Sequence, residues 1–391
     1  MTESGSPIVS SETNALRCID RKTFRFATFG NHACAILMTM CVLFAGSGCH
    51  RPSYQTSRIE AKNQWNQVRA RIKQQLAQQQ FDQGLFQDAI ANATAALALS
   101  PTLVKCYVLI AFSHLELGQS ASAEAAINRA GSLGLEHSDL HYIRAVLLEQ
   151  RGDVRSAVKE FARARELDKT RIEYLLAHAE CLATLGRYAK ALTLLAESLN
   201  TFDDSYEVAT LAARVAELKG DRQLAIEYDS IALARGSSDP LVSQSLGLDL
   251  AMEGRCRQAI ETLSPLLDGE SMSKIAQGAV RRSLAGCLLK TGQPRKAFEI
   301  ISGYSTEHPQ DDAAAALHAA ALWKIGEAEK ALRALPEHVG PGSATADLLC
   351  LRGDILSDLG REKEASEAFS RALADNPGHF RASQTPGRAS P

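Results

Sequence analysis

A fixed repeat length constrains this chain more than any other feature of its sequence. Glycines recur at Gly84, Gly118, Gly152, Gly186, Gly220, Gly254, Gly292, Gly326 and Gly360, and every step is 34 residues except the 38 between Gly254 and Gly292. Five residues after each glycine stands an alanine: Ala89, Ala123, Ala157, Ala191, Ala225, Ala259, Ala297, Ala331 and Ala365. Seven residues before each glycine stands another small residue: Ala77, Ala111, Ala145, Ala179, Ala213, Gly247, Ala285, Ala319 and Gly353. Three tracks in phase at this period signal stacked supersecondary units rather than one globular core.

Within one copy the spacing predicts a helix, a short turn and a second helix. The glycine ends the first helix, where a left-handed residue costs glycine little. The two small residues mark where the antiparallel helices come closest. A leucine there would force them apart at about 1–3 kcal/mol per site. Larger apolar residues such as Leu148, Leu182, Leu288, Leu322, Phe161 and Phe369 fill the remaining helical spacing. Pro101, Pro309 and Pro377 stop second helices before the next copy begins.

This pattern resembles the tetratricopeptide repeat over residues 70–377. The resemblance implies an all-α, right-handed superhelical solenoid of about nine helix-turn-helix repeats. The family's third small residue, twelve after the glycine, is alanine at Ala96, Ala130, Ala164, Ala232 and Ala372, but becomes Ser198, Leu266, Tyr304 and His338 elsewhere. The family's aromatic nine after the glycine survives only as Phe161 and Phe369. Pentatricopeptide repeats, a residue longer and basic in their groove, fit less well.

The charge balance points away from nucleic acid. The 43 basic and 45 acidic residues leave a net charge of −2, with no basic stripe. Among nine cysteines, Cys106, Cys181, Cys256, Cys287 and Cys350 lie far apart inside the repeats and form no CxxC pair. They read as small buried filler rather than metal ligands.

The first fifty residues carry a separate signal. A basic lead with Arg17, Arg21, Lys22 and Arg25 precedes ACAILMTMCVLFAGSGC, residues 33–49. Its apolar part is too short to span a bilayer and is followed by small residues, as in a signal peptide over 1–48. The ending at Cys49 resembles a bacterial lipobox, which implies a lipidated mature N-terminus; Gly46 departs from the leucine usual three residues before the cysteine. An uncleaved signal anchor and a cleaved, secreted chain are the other readings. All three export the repeats, and His50 after the cysteine fits passage to the outer membrane.

Residues 49–69 form a basic, polar linker, and Ser57 to Phe81 read as one long Gln-rich helix. It suits either an arm against an anionic surface or a polar cap on the first repeat. Residues 378–391 are rich in turn formers and read as a tail. The last apolar face, near Phe369 and Leu373, is then either open to a partner or covered by the chain itself.

Catalytic signatures are missing from the sequence. His137 and His141 flank Asp139 with no third ligand at a convincing spacing, so no metal, cofactor or catalytic residue is assigned. Binding is expected on the groove that the family lines with first helices. The resemblance places Phe112 and Tyr142 early in that groove, Arg214 among Glu173, Glu180, Glu207 and Glu217 mid-array, and Arg282, Lys290, Trp323 and Lys324 late. The Lys/Asn/Arg clamp of the chaperone-binding members is missing. Extended peptides or amphipathic helices suit such a face, and aromatic anchors would dominate it. The expected role is a non-enzymatic, exported scaffold serving secretion, pilus or outer-membrane assembly. An adaptor for polysaccharide export or cell-wall enzymes is one alternative, and an enzyme with a site between repeats is another.

Overall fold

The computed structural model describes residues 54–268, 274–336 and 343–376. Cys49, the segment before it, His338, Pro377 and the tail lie outside these residues. The chain divides into a unit Met1–Asn66 and a unit Gln67–Pro391.

Every described element is helical. In chain order they are α1 (Tyr54–Asp82), α2 (Phe86–Leu99), α3 (Val104–Glu116), α4 (Ser120–Ser132), α5 (Ser138–Gln150), α6 (Val154–Leu167), α7 (Ile172–Thr184), α8 (Tyr188–Ser198) and α9 (Glu207–Lys219). There follow α10 (Arg222–Ala234), α11 (Pro240–Met252), α12 (Cys256–Leu263), a 3-10 helix (Ser264–Asp268), α13 (Lys274–Lys290), α14 (Pro294–Glu307), α15 (Asp312–Ile325), α16 (Ala328–Ala334), α17 (Ser343–Asp358) and α18 (Glu362–Asp375). Odd-numbered helices are the first of each repeat and even-numbered ones the second. From α3 onward each helix packs on its chain neighbours, the contact order expected of an all-α solenoid.

The three residue tracks behave as the spacing predicts. All nine turn glycines have φ between 70° and 96°. At Gly152 the turn is closed by the backbone N–H of Asp153 donating to the carbonyl of Leu148 at 2.9 Å, and by Gly152 donating to Glu149 at 2.8 Å. That is the Schellman arrangement, which satisfies the last carbonyls of the helix. The alanines five residues later are at most 2% exposed, and the small residues seven before are all buried. At Gly247 a Cβ would lie 2.3 Å from Leu263, and at Gly353 one would lie 2.6 Å from the Phe369 ring. In these two repeats the opposite side chain occupies the space where a methyl would stand.

Where the family pattern is broken, the structure compensates. Tyr304 fits because it faces Gly278, where a Cβ would stand 2.3 Å from the phenol oxygen. Ser198 is buried, its hydroxyl donating to the Leu194 carbonyl at 2.8 Å. The connection after it is held by Arg235, whose guanidinium donates to the carbonyls of Leu199, Phe202 and Ser205 at 3.0–3.1 Å. Leu266 lies in the 3-10 helix that replaces the end of α12. The four extra residues of the irregular step fall between Gly254 and Gly292, where this 3-10 helix and a 17-residue α13 also lie. At the far end, Phe369 is only 8% exposed and packs on Gly353. Phe369 is thus packed within its own repeat, and Leu373 is half-buried.

In the first unit, α1 begins at Tyr54, and the described side chains up to Trp65 are exposed on every side of the helix. In the second unit, Ile72 is 58% exposed at the register where Tyr174, Val208 and Val242 are buried in later repeats.

Candidate functional site

The first helices form a continuous surface, because each touches the next: α11 with α13, α13 with α15 and α15 with α17. Repetition at a fixed period places equivalent positions side by side along it. The sequence-predicted groove residues all lie on first helices, and most of them are ties between repeats.

In the early repeats the ties are aromatic. Phe81, Phe112, Tyr142 and Tyr174 come from α1, α3, α5 and α7 respectively. Successive ring centroids are 6.2, 6.3 and 5.2 Å apart. Each ring stands two to four residues earlier in its helix than the one before it, so the ridge crosses the helices obliquely. Such spacing and tilt suit edge-to-face attraction of aromatic quadrupoles. Phe81, Phe112 and Tyr142 are half-buried, whereas Tyr174 is 1% exposed. The Tyr174 hydroxyl donates to Asp139 at 2.5 Å, and burial pushes its phenol upward in pKa. Burial likewise raises Tyr142, reinforced by the negative charge of Glu173 and Glu149. Phe112 and Tyr142 thus hold the stack while remaining partly exposed.

From the fourth repeat onward the ties are polar. Arg214 on α9 donates to Glu180 on α7 at 2.7 Å. The Ser245 hydroxyl donates to Glu217, and Arg282 donates to Asp311. The indole N–H of Trp323 donates to Asp358 at 2.6 Å, with the Lys324 ammonium 4.6 Å from the ring centroid. Lys290 and Lys324 are exposed. Arg214 and Arg282 therefore spend part of their charge on neighbouring repeats. The late face keeps its positive character chiefly through the two lysines.

The histidines set aside as metal ligands have structural partners. His137 caps α5, its Nδ1 accepting from the Asp139 N–H at 3.2 Å, and His141 meets Glu160 at 2.7 Å. Among the described residues no cluster suits a metal ion. Half-exposed ring edges, ion pairs and lysines can hold a peptide through apolar and charged contacts.

Sequence reasoning missed Asp229. It occupies the position nine after the turn glycine, apolar in the other eight repeats. It is 3% exposed, and one carboxyl oxygen has no partner. Burial, then the charges of Glu217 and Asp249, raise it to about 7, with neighbouring Ser245 acting in the opposite direction. The signal was available in the alignment of repeats, where one carboxylate stands in an apolar column.

Comparison with known proteins agrees with the repeat reading. Family models described as tetratricopeptide repeat match residues 109–171 and 346–379, so these stretches are tetratricopeptide repeats. Tetratricopeptide repeat protein 7B of Homo sapiens is 26% identical over 141 residues. That match spans 36% of this chain and 17% of the human protein's length, well under two thirds of it. Among solved structures, PilW, a widely conserved type IV pilus biogenesis factor, is 19% identical with a TM-score of 0.46, covering 54% of this chain and 98% of that one. A Pseudomonas aeruginosa PilF structure is 18% identical with a TM-score of 0.39, covering 55% and 96%. Similarity at this level leaves the partner of the present chain unspecified.

Proposed function

We propose that this protein is an exported, lipid-anchored scaffold that holds other proteins at the bacterial cell envelope. The first-helix surface would receive an extended segment or an amphipathic helix. The observation that carries this reading is the unbroken run of first helices, with half-buried rings at one end and exposed lysines at the other. Anchoring rests on Cys49 and on the basic residues downstream of it. Arg58 and Lys62 are exposed on α1, whose first residue is five from Cys49. A tether of that length reaches no more than about 18 Å, which would keep the basic turns near an anionic membrane surface. Assistance to secretion, pilus or outer-membrane assembly is the role this arrangement suits.

Crosslinking in intact cells followed by mass spectrometry tests the surface. Partners captured by the native chain should be lost from a Lys290→Glu/Lys324→Glu variant of unchanged melting temperature. Identical capture by the two chains would refute the site. Metabolic labelling with a palmitate analogue tests the anchor, since Cys49→Ala should abolish the label.

A further inference from the structure

The packing register between repeats brings two cysteines together. The residue two after a turn glycine faces the residue five before the next turn glycine. In the fifth and sixth repeats this pair is Arg222 and Asp249, whose side chains meet at 3.3 Å. In the third and fourth it is Val154 and Cys181, which share one core cluster, and in the eighth and ninth it is Ala328 and Ile355, which share another. In the sixth and seventh repeats the same register holds Cys256, the first residue of α12, and Cys287 on α13. They are 7% and 3% exposed and belong to one core cluster with Ile226, Leu246, Leu250 and Ala259. Both are free thiols, and the nearness of Cys256 helps raise the pKa of Cys287.

We propose that Cys256 and Cys287 form a disulfide that staples the sixth repeat to the seventh in the exported protein. The physiological use of this site rests on the export reading above. In the reaction both S–H bonds break and one S–S bond forms. The two protons and two electrons pass to the disulfide of an oxidant, either oxidised glutathione or a dithiol oxidoreductase, which is released as its thiols. The path is a mixed disulfide on one cysteine, resolved by the other. Burial and the neighbouring Cys256 push the Cys287 thiol up to about 12. Little Cys287 thiolate is therefore present once the junction has closed, and burial of both sulfurs shields the finished bond from reductants.

The location makes physical sense. This junction contains the only 38-residue step, and the second helix there gives way to a 3-10 turn. The two cysteines are 31 residues apart, so the bridge spans the whole irregular segment and constrains the unfolded chain across it. Disulfides also belong to oxidising compartments, as export would require.

The purified chain, refolded with oxidised glutathione, is digested without reduction and its peptides are weighed. The peptides holding Cys256 and Cys287 should appear linked, lighter by two hydrogens, and the linked chain should melt at a higher temperature than the reduced one. Cys256→Ala and Cys287→Ala should each abolish both effects while circular dichroism still reports a folded helical chain. A folded native chain in which these cysteines stay alkylatable, or link elsewhere, overturns the site. Thiol trapping in intact cells separates the two readings. A pair linked in the purified chain but reduced in cells supports the site and refutes export.

Discussion

Replacing Asp229 by asparagine should remove a pH-dependent weakness from the middle of the stack. Its carboxyl stands on α10, facing Glu217 of α9 and Ser245 and Asp249 of α11, with the Arg222 charge 3.3 Å from Asp249. The folded-state pKa of about 7 lies above the ordinary 3.8. Between those values the folded chain binds more protons than the unfolded one. The stabilisation it provides is complete below about pH 4 and is lost as pH rises to about 7. At about 1.36 kcal/mol per pH unit the loss is at most about 4 kcal/mol. His178 works in the opposite sense. Burial, then Arg165, lowers it to about 4 from 6.5, so its contribution is lost as pH falls through that range. The native chain alone therefore shows the two slopes partly cancelling, and the difference between variant and native chain isolates Asp229. Urea unfolding from pH 4.5 to 8.5, followed by circular dichroism, should show Asp229→Asn gaining on the native chain as pH rises. Because solenoid stability is set by nearest neighbours, the gain belongs to the fifth and sixth repeats. Asp229→Leu, restoring the residue type of Leu195 and Leu263, should be more stable than either at pH 8. A difference that stays constant across this range would refute the burial of an ionisable carboxyl at this seam.

Gly247→Ala should destabilise the sixth repeat by about 1–3 kcal/mol, because its new methyl meets Leu263; the double variant with Leu263→Ala should relieve the clash, as thermal melts would show. Ala157→Leu should cost a similar amount, since Ala157 has no exposed surface between α5 and α6. Arg235→Ala should cost about 2–3 kcal/mol by releasing three carbonyls of the α8–α9 connection; hydrogen exchange should then accelerate between Leu199 and Ser205 first.

Much of the architecture was legible because it depends on local chemistry written nine times. A glycine with positive φ and an alanine with no exposed surface need only a turn and a close helix approach, and both requirements recur in every repeat. The tail of the sixth repeat was less legible. Leu266 is compatible with a helix, and only the 38-residue step hints that α12 gives way to a 3-10 turn. The residues expected in the groove lie on first helices, yet their partners were hidden. Nothing local to Arg214 announces Glu180, and nothing local to Trp323 announces Asp358. Those pairs depend on how one repeat sits on the next.

The sequence by itself determined the helix pairs, their turns and the small-residue faces along which they close, because these follow from backbone sterics within one repeat. Only the tertiary structure decided that Phe81, Phe112, Tyr142 and Tyr174 form one ridge, that Asp229 is buried against two carboxylates, and that Cys256 meets Cys287. The physical reason is that the stagger between repeats, which brings residues about thirty apart into contact, is set by packing and not by any residue's own preference.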